Sequence, residues 1–393
     1  MKSPSPEASF APATEVVRLG RDPFRFDGFV NPPVVRGSTV LSPTYEDLVG
    51  HTGRYSYGRR GNPTSEALEG ALSALEGADG TVLTPSGLSA VSTALLSVLK
   101  AGDHLLMVDT AYRPTRRICD TVLSRLGIEV TYYDPLVGAQ IAGLLKENTK
   151  AIFLESPGSQ SFEMQDVPAI ARVARERGIT TLIDNTWATP IYFKPLDHGI
   201  DISIMAGTKY LSGHADLNIG TIAARGPAWK KVLETHGDLG LCVSPDDAAL
   251  GARGLRTLVV RLERHWRSGL AVAQWLRNQP QVSRVLHPAM DGDPGYDIWR
   301  RDFSGACGLF GAILKPVPER AVAAFFDSLA LFGMGYSWGG FESLIIPFDC
   351  TDYRTATTWN VEGPAIRLHV GLEEPEDLIA DLARGFERMG AAA

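Results

Sequence analysis

A chain of 393 residues, 44% of them hydrophobic, is long enough to bury a large sheet core and a smaller second one. Its formal net charge of −7 and the lack of any lysine or arginine run exclude a nucleic-acid surface, and no apolar run approaches the roughly 18 residues of a membrane span. Cys119, Cys242, Cys307 and Cys350 are dispersed without a C-x-x-C pair, so neither a metal centre nor a disulfide framework is expected. They read as buried thiols of a reducing cytoplasm. The N-terminal segment has no continuous apolar stretch and many prolines, which argues against a signal peptide and for a soluble, cytoplasmic protein.

Prolines at 4, 6, 12, 23, 32, 33 and 43 make residues 1–60 an expected extended arm. Within it, Arg54–Asn62 (RYSYGRRGN) reads by composition as a solvated basic loop, with glycine turns that bring Tyr57 and Arg59 near each other. Residues 61–255 then alternate strand and helix. Thr64 caps a helix with Leu68, Ala71, Leu72 and Leu75 on one face; strand Thr81–Thr84 leads through Pro85-Ser86-Gly87 into helix Leu88–Leu99. A strand, a small-residue turn and a helix can cradle an anion, because glycine admits close approach and the first helical N–H groups lack partners; an ordinary turn reads equally well. Strands His104–Val108, Glu129–Tyr133, Ala151–Glu155 and Thr180–Asp184 alternate with helices Gln140–Lys146 and Val167–Arg177. This order predicts an α/β domain with a mostly parallel sheet and its ligand at the strand C-termini. No strand–Gly-x-Gly-x-x-Gly–helix occurs, which disfavours a nicotinamide enzyme.

Asp184 ends a buried strand, and downstream Asp201–Gly220 (DISIMAGTKYLSGHADLNIG) sets Lys209 in a tight turn. An acid and an amine on neighbouring strand ends suit pyridoxal phosphate, with the amine holding the cofactor covalently and the carboxylate pairing with the pyridine nitrogen. His214, beside a glycine turn, reads as a structural hydrogen-bonder. Beyond it, Ala252–Trp275 reads as one long helix whose arginines form a solvated face. Residues 256–393 predict a compact α+β domain: strands Val282–Leu286, Leu309–Leu314, Leu344–Phe348 and Ile366–Val370, with helices Ala321–Leu331 and Pro375–Arg388. Tyr336 and Trp338 lie in a glycine-rich turn, where aromatic exposure has a cost unless they line a pocket. Arg367, inside an apolar strand, must meet an anion, and its planar fork suits a carboxylate.

The stretch Ser203–Asp216 (SIMAGTKYLSGHAD), preceded by Asp184, resembles the lysine signature of the Cys/Met-metabolism family of pyridoxal-phosphate enzymes, fold-type-I proteins that include cystathionine γ-synthase and the cystathionine β- and γ-lyases. The likeness runs from about Tyr57 to Arg367. It implies that Lys209 carries the cofactor, that Asp184 pairs with its ring nitrogen, and that Tyr112 stacks on the ring. Ser86, Gly87, Leu88 and Thr208 would hold the phosphate, joined by Tyr57 and Arg59 from a neighbouring subunit. Arg367 would take the substrate carboxylate, with Tyr336, Ser337 and Trp338 beside the substrate. Two positions depart from the pattern: Ser159 replaces an asparagine that contacts the ring oxygen, and Ala206 replaces a serine that reaches the phosphate, for which Thr208 stands in.

Where many γ-enzymes of the family read Glu-Ser-Leu-Gly-Gly, this chain reads Tyr336-Ser337-Trp338-Gly339-Gly340, the β-lyase form. The implied activity is a carbon–sulfur lyase acting on an amino-acid thioether: α,β-elimination of L-cystathionine to homocysteine, pyruvate and ammonia. Displaced by the substrate amine with the help of deprotonated Tyr112 or Tyr57, Lys209 would then move the Cα proton, in a homotetramer built as a dimer of dimers. The alternatives are a cystathionine γ-synthase or γ-lyase and, from another class, a catalytically silent cofactor-binding regulator.

Overall fold

The computed structural model describes residues 10–393. Seven short runs rich in β-branched and apolar residues pair into one sheet: β1 (Gly80–Thr84), β2 (His104–Val108), β3 (Glu129–Tyr133), β4 (Thr149–Glu155), β5 (Thr180–Asp184), β6 (Ile202–Met205) and β7 (Gly220–Ala224). Their spatial order is β1-β7-β6-β5-β4-β2-β3. All neighbours are parallel except β7, which runs antiparallel to both β1 and β6. β1, β2, β6 and β7 are buried along their whole length, as strands covered by helices on both faces must be.

Local chemistry sets the helix ends. Asn62 accepts from the N–H groups of Thr64 and Ser65, Ser65 returns a bond to the Asn62 N–H, and Pro63 opens the helix Pro63–Glu76. The helix stops at Gly77, whose φ of 65° costs glycine little.

Several elements differ from the sequence expectation. The arm is not simply extended: it carries helices at Pro12–Arg18 and Tyr45–Gly50 and a 3₁₀ turn at Pro23–Phe26, while its first nine residues lie outside the described ones. The helix expected at Gln140–Lys146 is a 3₁₀ segment over Gly138–Leu144. The long helix breaks at Thr257 into Pro245–Arg256 and Leu258–Arg277. Its arginines are not all solvated. Arg256 donates to the carbonyls of Val16 and Leu19, and Arg261, 5% exposed, donates to those of Tyr210, Leu211 and Gly254. Among these, the Tyr210 and Leu211 carbonyls have no other donor among the described residues. Cys242 is exposed, unlike the three other thiols.

A second sheet follows, formed by β8 (Val282–Leu286), β9 (Leu309–Leu314), β10 (Gly333–Met334), β11 (Leu344–Phe348) and β12 (Ala365–His369) in the order β10-β11-β12-β9-β8. Helices Glu319–Asp327 and Pro375–Ala392 pack on it through Phe325 and Phe386, stacked at 5.0 Å. A buried ion network ties this part of the chain to the first sheet. Asp109, just past β2, pairs with Arg116 and Arg354 and accepts from the N–H groups of Thr355 and Thr357. Burial alone would raise the Asp109 carboxyl, but these bonds outweigh it and hold it down to about 2.

Candidate active site

The C-terminal ends of the parallel strands face the second sheet. β4 and β5 end on register partners, Glu155 and Asp184. β6 ends at Met205 and turns sharply: Lys209 N–H bonds Ala206 O at 3.0 Å, and Gly213 N–H bonds Lys209 O at 2.9 Å. The Thr208 hydroxyl closes the loop by donating to Ile219 O and accepting from Ile219 N–H. It is thus engaged within the chain, and a bond to a phosphate would exchange for the one to Ile219.

From this turn the Lys209 amine crosses to the second sheet, where it donates to Ser337 Oγ at 2.8 Å and lies 5.5 Å from the Trp338 ring centre. Burial and, next, the nearby Arg367 guanidinium lower its pKa to about 8, against the pull of Asp184. Asp184 accepts at Oδ1 from Thr186 N–H (3.0 Å) and Thr186 Oγ1 (2.5 Å), while Thr186 Oγ1 accepts from Ala206 N–H. Burial raises the Asp184 carboxyl in spite of these donors, so the site favours a cation beside it.

Between β1 and its following helix, the Gly87 and Leu88 N–H groups make no hydrogen bond among the described residues; the Ser86 hydroxyl caps Ser89. A Cβ on Gly87 would sit 2.5 Å from that of Ala206, so the turns after β1 and β6 abut closely. Tyr112 follows β2, and its N–H donates to Glu155 Oε2 at 2.8 Å. Burial raises its phenol, so the deprotonated form expected of Tyr112 is disfavoured here, with Arg367 acting the other way. Arg367 on β12 donates to Ser337 O at 3.0 Å and has no carboxylate partner among the described residues. Burial lowers its pKa to about 10.

The remaining expected residues are placed differently. Trp338 packs on Tyr210 at 5.4 Å, but Tyr336 is 87% exposed. Tyr57 is bridged to Thr39, and Arg59 donates to Gly237 O at 3.2 Å; neither bonds a residue of the Lys209 group in its own chain. Ser159 contributes a backbone bond to Thr110 O. His214 bonds the Ser212 carbonyl and is exposed. Sequence reading passed over Glu155, Thr186, Arg261 and His369, which hold the site's turns. Only His369 carried a signal, as it stands two residues from Arg367 and shares its strand face.

The model of the Cys/Met metabolism PLP-dependent enzymes matches residues 13–387. This chain belongs to that family. Pyridoxal phosphate is therefore its cofactor and it is an enzyme of the fold-type-I class. The donor set fits that group: free N–H groups at a helix start for a phosphate, a carboxylate in need of a cation, and a lysine amine of lowered pKa. A Rhizobium johnstonii protein provisionally named cystathionine beta-lyase is 51% identical over 382 residues, 96% of each chain. Cystathionine beta-lyase MetC of Escherichia coli K12 is 44% identical over 387 residues, covering 96% of this chain and 98% of its own. The solved cystathionine gamma synthase of Xanthomonas oryzae pv. oryzae superimposes with a TM-score of 0.91 at 32% identity, covering 98% of this chain and all of the other. β- and γ-enzymes thus share the scaffold, and the fold alone does not choose between them.

Proposed function

We propose that the chain is a carbon–sulfur lyase that converts L-cystathionine and one water to homocysteine, pyruvate and ammonia by α,β-elimination. The observation that carries this reading is the Ser337-Trp338 turn, which places a hydroxyl and an indole on the Lys209 amine beside an unneutralised Arg367. Two relatives of 44% and 51% identity that bear the β-lyase name support it.

When bound, the cofactor supplies an electron-withdrawing ring that stores the electrons left at Cα. Lys209 would hold it, and Asp184 would pair with its ring nitrogen. The N–H groups after Ser86, at Gly87 and Leu88, would receive its phosphate, with Thr208 nearby, and Tyr112, on a turn held by Glu155, would stack on the ring. Arg367 binds the substrate α-carboxylate with a bidentate fork. Lys209, released from Ser337, takes the Cα proton and returns a proton to the sulfur leaving Cβ; a lowered pKa suits both tasks. Trp338 narrows the space beyond the amine. Tyr336 does so only where a partner covers it.

With L-cystathionine, the purified enzyme is expected to release pyruvate and homocysteine in equal amounts. Predominant 2-oxobutyrate and cysteine would transfer the assignment to a γ-lyase, and efficient cystathionine synthesis from an O-acyl-homoserine and cysteine to a γ-synthase. Absence of any turnover by cofactor-loaded protein would favour the silent regulator.

A homotetramer, a dimer of dimers with shared sites, is also proposed. Phe24, Phe29, Leu41 and Tyr45 on the arm are more than 70% exposed, an apolar surface that asks for cover. In this assembly Tyr57 and Arg59 serve the partner's cofactor phosphate, and Tyr57 adjoins its substrate amine. Mixing inactive Arg59→Ala and Lys209→Ala subunits is then expected to restore activity, since one of the two hybrid sites has both wild-type residues. No recovery after verified subunit exchange would place the whole site within one chain. A cytoplasmic location is proposed as well. No helix among the described residues is long and apolar enough to cross a membrane.

A further inference from the structure

β12 presents Arg367 and His369 on one face, two residues apart, and both grip the same turn. Arg367 bonds the Ser337 carbonyl, and His369 Nε2 lies 3.1 Å from the Gly339 nitrogen and 3.1 Å from Gly340 O. A single ring nitrogen serves one of these at a time: accepting from Gly339 satisfies that N–H and leaves the buried Nδ1–H without a partner, whereas donating to Gly340 O leaves the Gly339 N–H without an acceptor among the described residues.

The turn needs such holding. Ser337 has a φ of 110°, which a residue with a Cβ seldom adopts, so surrounding contacts must over-determine it. Gly339, at φ 85°, lies against the backbone of Lys209: a Cβ there would be 2.9 Å from Lys209 Cα and 2.8 Å from its carbonyl carbon. Gly339 and Gly340 are buried, so without His369 the Gly339 N–H would be an orphaned donor. The imidazole is walled in by Tyr210, at 6.0 Å, and His265, at 5.1 Å. Burial first, and then His265, keep it neutral, so one of its two ring nitrogens carries a lone pair.

We propose that His369 is a positioning residue: by accepting from the Gly339 N–H, it clamps the Ser337–Gly340 turn on the Lys209 backbone and thereby sets where the Lys209 amine rests. Its catalytic consequence depends on Lys209 acting as proposed above; the clamp itself does not.

The test compares His369→Leu, His369→Asn and His369→Gln in the full-length, cofactor-loaded protein. Amide hydrogen exchange across residues 335–343 is followed beside kcat and KM for L-cystathionine. The Gln amide reaches about as far as Nε2, whereas Asn falls short and Leu has no acceptor. Exchange at Gly339 is expected to quicken about 10- to 100-fold in the Leu and Asn variants. kcat should fall by a similar factor with a smaller change in KM, and Gln should restore protection and most of kcat. Wild-type protection at Gly339 in the Leu variant would overturn the proposal. Where Leu does not fold, equal exchange in Gln and Asn would do the same. If exchange follows the expected order but the wild-type enzyme makes no pyruvate, the clamp stands and the substrate assignment fails.

Discussion

Lys209→Ala enzyme will be colourless after borohydride treatment and dialysis, and its turnover of L-cystathionine will fall by at least about 10³-fold, because in the proposed mechanism one amine both holds the cofactor and moves the proton. The tight turn after β6 half-buries that amine, with the Ser337 hydroxyl at 2.8 Å and the Trp338 face as its neighbours. Burial and Arg367 bring its pKa to about 8, so its neutral, nucleophilic fraction grows with pH and saturates above that value. The rate of cofactor uptake by cofactor-free protein should therefore rise roughly tenfold per pH unit below 8 and level off above it. An ordinary lysine would keep climbing to about pH 10. Peptide mapping of the borohydride-fixed cofactor checks the residue, and a label on any other lysine would end the assignment. A plateau only near pH 10 would mean that the site does not tune the amine.

Replacing Asp184 has the second-largest expected effect. Its carboxylate is fixed by two donors from Thr186, which in turn is tied to the N–H of Ala206 in the lysine turn, so acid and amine are registered by one hydroxyl. Burial raises this carboxyl, and a positively charged pyridine nitrogen in contact would lower it again. By the reciprocity of that interaction, Asp184 would keep the nitrogen protonated, as proposed. Asp184→Ala is expected to lower kcat by about 10²- to 10³-fold, the range for losing an electrostatic stabiliser. Asp184→Glu, which keeps the charge with one extra methylene, should retain much more activity. Cofactor affinity measured by equilibrium dialysis should fall in the same order. Equal kcat for the Ala and Glu variants would assign the carboxylate a purely structural role.

Much of this site was legible in the chain. Strands His104–Val108, Glu129–Tyr133, Thr180–Asp184 and Leu309–Leu314 follow from runs of β-branched and apolar residues, and the structure has them with the same ends. Their alternation with helices set the α/β class, and it placed Asp184 at a strand's C-terminal end with Lys209 in a turn beyond it. Arg367 was marked by an energetic conflict, a guanidinium in an apolar strand, which is visible without any partner.

What the sequence could not reveal is of one kind. β7 inserts antiparallel between β1 and β6, Ser337 reaches Lys209 across 128 positions, and Arg261 turns from an expected solvated face to bind the carbonyls of the lysine turn. A residue's local periodicity tells which face is buried, because burial of neighbours repeats every two or 3.6 residues. It carries no record of which distant backbone group lies against that face. Arg253 and Arg261 look alike in the chain, and only Arg261 meets unpaired carbonyls, since these exist only once the lysine turn has closed. Tyr336 is the converse case: its exposure in one chain is decided by what covers the turn, a property of the assembled surface and not of the local sequence.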